Sequence, residues 1–316
     1  MRLSRAQALI AIRQGIFSES LTMPRLNQSR VNDSNQLLIT VGVGLVAVIL
    51  FVAIVIWPSN SEPTVEDLVL GETQLGAALN DATTNDYLQA LHRANPKASA
   101  QLHAEAEAEI AAGADPDALG HMILGSYADF MEGDEKHLLH ADVSHWDTLV
   151  KMMQQGLKDL SNREPKYCRM SYLETLQYKS EAAITEEFSN MIGYNSHGYH
   201  WAVRAQTVVL EAVEDGRNNP KSYDRLNDAD NQALQSAMIR MMQGPQASKI
   251  MRIQTMSASD QKRAMANINF CDVGVELLSL YSTLPRETRE RLMGEAQRDF
   301  DRGNLEGMAR GLLSGF

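Results

Sequence analysis

The side chains best suited to catalysis or metal binding are concentrated in residues 137–147, which read HLLHADVSHWD. The stretch contains three histidines, His137, His140 and His145. His137 and His140 are three positions apart, so a helix would place both imidazoles on one face, a spacing that can bind zinc. Asp142 and Ser144 are both residue types that begin helices, so the three rings need not converge. The stretch therefore has three interpretations: a metal site, a pH-sensing patch, or surface histidines near helix ends.

A second candidate region is residues 193–200, which are rich in Gly, Asn and aromatic residues and are predicted to form a loop. Loops carry binding residues more often than the elements they connect. Aromatic rings also offer a large contact surface to a partner. We therefore assign a partner-binding role to Tyr194, His197, Tyr199, His200 and Trp201. The alternative is a loop whose aromatic side chains pack back on the domain.

Methionine is abundant, with sixteen in the chain. Six of them lie in one region together with three isoleucines: Met238, Met241, Met242, Met251, Met256 and Met265, with Ile239, Ile250 and Ile253. Flexible thioethers suit a groove that accepts apolar helices, and they suit an ordinary core equally well. The sequence leaves both interpretations open.

Sequence signatures of catalytic and cofactor sites are absent. The chain contains no G-x-S-x-G, no P-loop, no dinucleotide-binding fingerprint and no H-E-x-x-H. Adjacent carboxylates such as Glu186 and Glu187 would point apart on a helix, so they do not form an acid–base pair. We assign no catalytic residue and no cofactor. The competing hypothesis is a metal-dependent periplasmic hydrolase that uses His137, His140 and His145 as ligands.

Residues 37–57 decide on which side of a membrane all these groups lie. Residues 37–56 read LLITVGVGLVAVILFVAIVI and carry no charge. Fifteen of those twenty are Leu, Ile, Val or Phe. A helix of this length spans roughly 30 Å, the thickness of the hydrocarbon core of a bilayer. A buried core helix would carry a polar stripe, and a cleaved signal peptide would have a shorter apolar run that ends at small residues. The sequence therefore predicts one transmembrane helix at residues 37–57.

Charge differs sharply on the two sides of this segment. Residues 1–36 contain five Arg against one Glu and one Asp, a net charge of +3, whereas residues 57–316 contain 24 Lys and Arg against 38 Asp and Glu, a net charge of −14. Basic flanks stay on the cytoplasmic side of a membrane. We therefore predict a bacterial inner-membrane protein with residues 1–36 as a cytoplasmic tail, residues 58–63 as a linker and residues 64–316 as an acidic periplasmic domain. An acidic domain argues against a nucleic-acid ligand, because phosphate binding needs a basic stripe.

The first residues of the chain admit several interpretations. Residues 1–17 are amphipathic and basic, with no acidic residue before Glu19. This composition is typical of an interfacial helix or of a mitochondrial transit peptide. A start of translation at Met23 is a further alternative. The transit-peptide interpretation would make this a mitochondrial inner-membrane protein whose domain faces the intermembrane space.

The chain has two cysteines, Cys168 and Cys271, and both lie in the proposed outer domain. Exported compartments are oxidising, so an even number of cysteines favours a disulfide. Closing a loop of about a hundred residues stabilises a protein by up to roughly 4.7 kcal/mol in the chain-entropy model. We predict a Cys168–Cys271 disulfide, with two unpaired buried thiols as the alternative.

From residue 64 onward, apolar residues recur at helical spacing, and the alternation typical of strands does not appear. Residues 201–213 are the one segment where a strand competes, because residues 207–209 (TVV) are β-branched. Residues 260–280 are predicted to form one long helix that carries Cys271. We predict an all-α fold, with one N-terminal transmembrane helix followed by an antiparallel multi-helix extracytoplasmic domain. A helical solenoid is an open alternative.

Together these features predict a protein-binding role. The chain would be a single-pass inner-membrane protein whose periplasmic domain acts as a scaffold, adaptor or assembly factor of an envelope complex. The prediction depends on a large helical surface, tethered close to a membrane, that carries no catalytic constellation. Its expected partners are the membrane, through one helix, and other proteins; the oligomeric state is left open.

Overall fold

The computed structural model describes residues 74–131, 134–169 and 191–301, together with isolated residues between 171 and 187. The predicted cytoplasmic tail, transmembrane helix and linker, residues 1–63, lie outside the described residues. In the described part of the chain, no helix is both long enough and apolar enough to cross a bilayer.

Helices account for the regular structure of the described residues, where β pairing is limited to one isolated bridge between Arg169 and Asn269. This confirms the all-α prediction for that part of the chain. The helices are α1 (Gln74–Leu79), α2 (Ala82–Ala94), α3 (Pro96–Ala111), α4 (Pro116–Met131), α5 (Glu135–Leu139), α6 (Val143–Arg163), α7 (His197–Asn218), α8 (Asp228–Met242), α9 (Pro245–Gln254), α10 (Ala258–Ala266), α11 (Phe270–Thr283) and α12 (Arg286–Asp301). A short 3₁₀ helix, Pro165–Cys168, follows α6.

Polar side chains at the first turns explain where several helices begin. Asp81 accepts hydrogen bonds from the backbone N–H groups at the start of α2, including that of Thr84 at 2.8 Å. Asn227 and Asp230 form a reciprocal capping box at the start of α8. Each such cap satisfies backbone donors that have no partner within the helix and contributes about 1 kcal/mol.

Helix α7 lies at the centre of the domain, where it contacts α2, α4, α5 and α6. It buries apolar side chains at three- and four-residue intervals, the spacing of one helix face. Helix α6 in turn contacts α11 and α12. The largest fully buried side chains of this core include Trp146, Tyr87, Tyr199, Leu91 and Leu210. Each contributes roughly 1.5–3 kcal/mol through removal of apolar surface from water.

These contacts do not correspond to a helical solenoid. Helix α2 packs directly on α7 although α3 to α6 separate the two in sequence. Repeats of a solenoid contact only their sequence neighbours. The described helices therefore form a bundle held by long-range contacts.

Charged side chains attach α12 to the rest of the bundle. Arg289 donates a hydrogen bond to Asp147 of α6 at 2.8 Å. Asp230 of α8 is 2% exposed and accepts hydrogen bonds from Thr288 at 2.8 Å and from Arg291 at 3.1 Å. A smaller apolar cluster lies beside this contact and consists of Leu234, Ala237, Leu284 and Leu292.

The prediction of one long helix over residues 260–280 is wrong, because α10 and α11 are separate helices. The side chain of Asn269 accepts hydrogen bonds from the N–H groups of Cys271 at 3.0 Å and Asp272 at 3.3 Å, which starts a new helix. Its amide also donates to Ser161 of α6 at 2.7 Å. The apolar pattern continues across this break, so periodicity alone does not reveal it.

The segment 201–213, where a strand competes in the sequence, is wholly helical as part of α7. Helix α7 also begins earlier than predicted, at His197, because the Ser196 hydroxyl accepts a hydrogen bond from the Tyr199 N–H at 3.0 Å. Residues 197–200 are thus the first turn of a helix and not part of a loop.

Cys168 and Cys271 form a disulfide that joins the 3₁₀ helix to the first turn of α11. Their Cα atoms are 5.2 Å apart, and both residues are fully buried. Next to the disulfide, Ser161 of α6 donates a hydrogen bond to Asp272 at 3.1 Å. The disulfide and this contact hold α6 and α11 together at one end.

Candidate functional site

His137, the first of the three candidate metal ligands, lies beside an ion pair. Its Nε2 atom is 4.0 Å from Oδ1 of Asp134, and Arg217 donates a hydrogen bond to the same oxygen at 2.8 Å. Partial burial lowers the pKa of His137, and the positive charge of Arg217 lowers it further. The neutral imidazole is therefore favoured beside a carboxylate that already has a cationic partner.

His140 and His145 face other groups. His140 donates from Nδ1 to the carbonyl oxygen of Lys221 at 2.8 Å, and the Lys221 N–H donates to the His140 carbonyl oxygen at 2.7 Å. His145 Nε2 is 3.6 Å from Asp215 Oδ2. Within the described ranges, no three His, Cys, Asp or Glu side chains are arranged to hold a metal ion. The structure therefore offers the hydrolase hypothesis no ligand set from His137, His140 and His145.

The turn that carries these histidines is a structural junction of α5, α6 and α7. The Asp142 N–H donates to Asp215 Oδ2 of α7 at 2.8 Å. The Tyr223 hydroxyl donates to the carbonyl oxygen of Ala141 at 3.0 Å and accepts from the Val143 N–H at 3.0 Å. These contacts give hydrogen-bond partners to the backbone groups of residues 141–143, where the chain passes from α5 to α6 beside α7.

The candidate partner-binding residues are directed mainly toward the domain. Tyr199 is fully buried, and its hydroxyl lies 2.9 Å from Oγ1 of Thr84. Because Thr84 Oγ1 donates to Asp81 Oδ2 at 2.7 Å, the Tyr199 hydroxyl is the donor of the first pair. Burial raises the pKa of Tyr199 to about 12, so this hydroxyl stays protonated at neutral pH. The hydrogen-bond chain joins the first turn of α7 to the start of α2.

His200 and Trp201 continue the same contact between helices. His200 Nδ1 is 3.7 Å from Asp81 Oδ2. Burial favours the neutral form of Asp81, but hydrogen bonds from Thr84 and the charge of His200 outweigh it and lower the pKa of Asp81. Trp201 donates its indole N–H to the carbonyl oxygen of Met152 in α6 at 3.0 Å.

Tyr194 and His197 complete the set. Tyr194 donates its N–H to Asp117 at 2.9 Å and its hydroxyl to the carbonyl oxygen of Leu79. His197 Nε2 lies 3.1 Å from Asp159 Oδ2, with a side chain that is 51% exposed. All five residues thus contact the body of the domain, His197 with the most exposed of the contacting side chains, and the partner-binding role of this region stays a prediction.

The exposed apolar side chains lie elsewhere. Ile239 and Met242 are each 45% exposed, Met256 is 42% exposed and Met265 is 37% exposed. Ile239 and Met242 lie in α8, Met256 lies in the turn between α9 and α10, and Met265 lies in α10. Helix α9 contacts both α8 and α10. By contrast, Met238 is half-buried against the smaller apolar cluster. We use the name α8–α10 surface for the exposed side chains of these three helices and the turns between them, among them Ile239, Met242, Met256 and Met265.

The part of the α8–α10 surface that carries the exposed apolar side chains, residues 238–268, is basic although the domain around it is acidic. Residues 238–268 contain five Lys and Arg against one Asp, a net charge of +4, whereas residues 57–316 carry −14. The side chains of Arg240, Lys249, Arg252 and Arg263 are exposed. A count over the whole outer domain conceals this local excess; a count in a window of thirty residues would have found it.

Glu276 of α11 fixes the start of α9. The residue before this helix is Gly244, which has no side chain to cap it. Glu276 Oε2 instead accepts a hydrogen bond from the Gln246 N–H at 3.1 Å. A Cβ atom at Gly244 would lie 1.5 Å from Glu276 Oε1, so a glycine is needed for this approach. A carboxylate at this end also matches the helix dipole.

A buried histidine lies outside all of these regions. His103 of α3 is 4% exposed, and its Nε2 atom has no hydrogen-bond partner among the described residues. Burial lowers the pKa of His103, while the charge of Glu107 acts in the opposite direction. The folded state thus favours the neutral ring at this position.

We expect the domain to lose stability as the pH falls from 7.5 to 5, in part through His103. Its pKa in the folded state lies below the ordinary value of 6.5. The unfolded chain therefore binds this proton first, so the free energy of unfolding decreases with falling pH, by at most about 1.4 kcal/mol per pH unit for one group. Urea unfolding of wild type and His103→Gln at both pH values measures the contribution. An identical pH dependence in the two proteins would contradict it.

Comparison with protein-family models, with curated proteins and with solved structures finds no match for this chain.

Proposed function

We propose that the chain is a single-pass bacterial inner-membrane protein whose helical domain faces the periplasm and binds other proteins, as a scaffold, adaptor or assembly factor. The observation that supports the binding role is the α8–α10 surface. It carries four of the five large apolar side chains that are exposed in the described part of the chain. Apolar surface with a charged border is typical of sites that bind another protein.

The chemistry of this surface suits a protein partner. Three of its four apolar side chains are methionines, whose unbranched thioethers adapt to different partner shapes. Exposed arginines, such as Arg240 and Arg252, are enriched in protein interfaces, where they combine a charge with a packable stem. Together they provide an apolar contact area and a charge that selects among partners.

The sequence supports the membrane location. Residues 37–57 form an uncharged apolar stretch of transmembrane length, and the basic side of the chain precedes it. A disulfide between Cys168 and Cys271 is consistent with a domain in an oxidising compartment. These arguments concern location alone, and the α8–α10 surface supports the binding role independently.

We expect the double substitution Met242→Glu and Met256→Glu to abolish partner binding. Two carboxylates would have to be desolvated in the interface, which costs several kcal/mol and lowers affinity by at least about a hundredfold. The measurement is co-purification of the full chain from gently solubilised membranes of its source cells. Tyr178→Glu is the matched control, because Tyr178 is also exposed (85%) but lies outside this surface. Recovery of the same proteins with the double variant, or of none with wild type, would contradict the proposal.

A further inference from the structure

We propose that Glu276 of α11 is a positioning residue of the α8–α10 surface: it holds residues 245–266 in their closed position, and these residues open as a unit independently of the core. They comprise α9, α10 and the turn between them, and we call them the α9–α10 pair. The inference rests on the proposed function, because it concerns the regulation of the same surface. It is carried by the way the pair is attached, the way α9 begins, and the firm attachment of α11.

The α9–α10 pair has little apolar attachment to the bundle. Of its described residues, none belongs to the main core or to the smaller apolar cluster. One buried apolar side chain is described in the pair, that of Ile253. Segments with few buried apolar contacts open at a lower free energy than the core of a domain. The pair is therefore expected to open while the core stays closed.

The first turn of α9 depends on α11. Helix α10 has a cap of its own, because the Ser257 hydroxyl accepts a hydrogen bond from the Asp260 N–H at 3.3 Å. Helix α9 instead follows Gly244 and begins with Pro245, which has no N–H. The Gln246 N–H is thus the first donor of α9, and it donates to Glu276 Oε2 at 3.1 Å. One hydrogen bond therefore both caps α9 and docks it on α11.

The two helices are too short to be stable without this docking. Helix α9 has ten residues and α10 has nine. Isolated helices of fewer than about 12–15 residues are marginal in water. A pair that leaves α11 is therefore expected to lose helical structure as well, so docking and helix formation occur together.

The carboxylate that holds α9 is itself on a firmly attached helix. Cys271, in the first turn of α11, is joined to Cys168 by the disulfide. Leu278 further along α11 is buried in the core. Glu276 lies between these two points, with Oε1 against Gly244 and Oε2 bound to α9. Helix α11 is thus the fixed support, and the α9–α10 pair is the part that moves.

Opening of the pair changes the α8–α10 surface. Met256 and Met265 belong to the pair, whereas Ile239 and Met242 belong to α8. Helix α8 is held separately, because it contributes Leu234 to the smaller apolar cluster. The positions of the two methionines of the pair relative to α8 therefore depend on the docking of α9. A partner that contacts both parts binds the closed form, and its apparent affinity falls with the closed fraction.

Amide hydrogen exchange of the purified full chain, without a partner, tests the opening. Glu276→Ala is expected to raise exchange rates in residues 245–266 about fivefold, the effect of losing one helix cap, and to leave α2 and α7 unchanged. Glu276→Gln keeps an oxygen that accepts the Gln246 N–H, so its rates should stay within about twofold of wild type. An equal rise in α2 and α7, or unchanged rates in residues 245–266, would overturn the inference.

Gly244 provides a second variant for the same contact. The Cβ atom of Gly244→Ala would lie 1.5 Å from Glu276 Oε1 and displace the carboxylate. This variant should raise exchange in residues 245–266 by a similar factor, and its combination with Glu276→Ala should raise it no further, because both remove one contact. Gly125→Ala is the matched control, since a Cβ atom there meets nothing within 4 Å. Effects that multiply in the double variant would contradict the role of Glu276.

Co-purification from gently solubilised membranes of the source cells connects the opening to binding. Glu276→Ala should lower the recovery of partner about twofold or more, and Glu276→Gln should recover it at the wild-type level. Equal recovery with Glu276→Ala and wild type would refute the positioning role. Failure of the exchange tests, with partner recovered by wild type, would remove this inference alone. Recovery of no partner with wild type would remove the proposed function and the positioning role together.

Discussion

Replacing Cys168 and Cys271 together by alanine is expected to lower the free energy of unfolding by about 2–5 kcal/mol. The disulfide joins residues that are 103 positions apart. In the chain-entropy model a loop of this length contributes about 4.7 kcal/mol, because the cross-link reduces the conformational freedom of the unfolded chain. Both cysteines are also fully buried, so their loss leaves unfilled space between α6 and α11. The measurement is urea unfolding of the purified full chain.

Wild-type protein in reductant is the internal control for this prediction. It should unfold at nearly the same urea concentration as the double variant, whereas reductant should leave the double variant unchanged. Alkylation of free thiols in intact cells extends the test to location, because a periplasmic domain keeps both cysteines oxidised. Ready alkylation of Cys168 and Cys271 in cells would contradict the proposed periplasmic orientation, whatever the stability of the purified protein.

The disulfide also bears on the α8–α10 surface. It holds the first turn of α11, and Glu276 lies little more than one helical turn further along. Glu276 is the residue that caps α9. Loss of the disulfide is therefore expected to loosen α9 before the core between α2 and α7 is affected, since that core shares no side chain with this end of α11.

Helical character could be predicted from the sequence because it depends on local periodicity and on capping residues. The break at Asn269 could not, because the hydrogen bond between Asn269 and Ser161 depends on tertiary structure. The same limitation applies to the pairing of α2 with α7, which joins Thr84 to Tyr199 across 115 positions. Local periodicity does not reveal contacts between residues that are far apart in sequence. The sequence alone therefore could not distinguish a bundle from a helical solenoid.

The candidate residues were harder to interpret than the fold. The close spacing of His137, His140 and His145 in sequence is real, but α5 ends at Leu139 and α6 begins at Val143, and each ring has a different neighbour. The aromatic residues around Tyr199 were assigned to partner contact, and the structure uses most of them to join α7 to α2 and α6. Aromatic residues near a turn can bind a partner or pack one helix on another, and composition does not distinguish these two roles.

The methionine-rich region shows what the sequence could have revealed. Its methionines lie in two environments: Met238 is half-buried, whereas Met242 is exposed. Which methionine belongs to which class depends on the packing of α8 on α11. The local charge of residues 238–268, in contrast, was present in the sequence and required no structure.

Replacing Gly216 by alanine is expected to destabilise the domain by about 3 kcal/mol or more, at the upper end of the cost of overpacking. Helix α7 crosses α5 at this position so closely that a Cβ atom would lie 1.8 Å from the carbonyl oxygen of His137 and 2.9 Å from the backbone nitrogen of Ala141. The obstacle is backbone and not the end of a flexible side chain, so the two helices must move apart. Thermal and urea unfolding of the full chain measure the effect.

The neighbours of Gly216 explain why that movement is costly. Asp215 accepts the hydrogen bond of the Asp142 N–H, and Arg217 donates to the carbonyl oxygen of Ala94 and to Asp134. Separating α7 from α5 would weaken the contacts of Asp215 with Asp142 and of Arg217 with Asp134. Gly125→Ala is the matched control, because a Cβ atom there meets nothing within 4 Å. In a helix it should stabilise by about 0.5–1 kcal/mol. Equal stability of the two variants would show that α5 does not pack against α7 in this way.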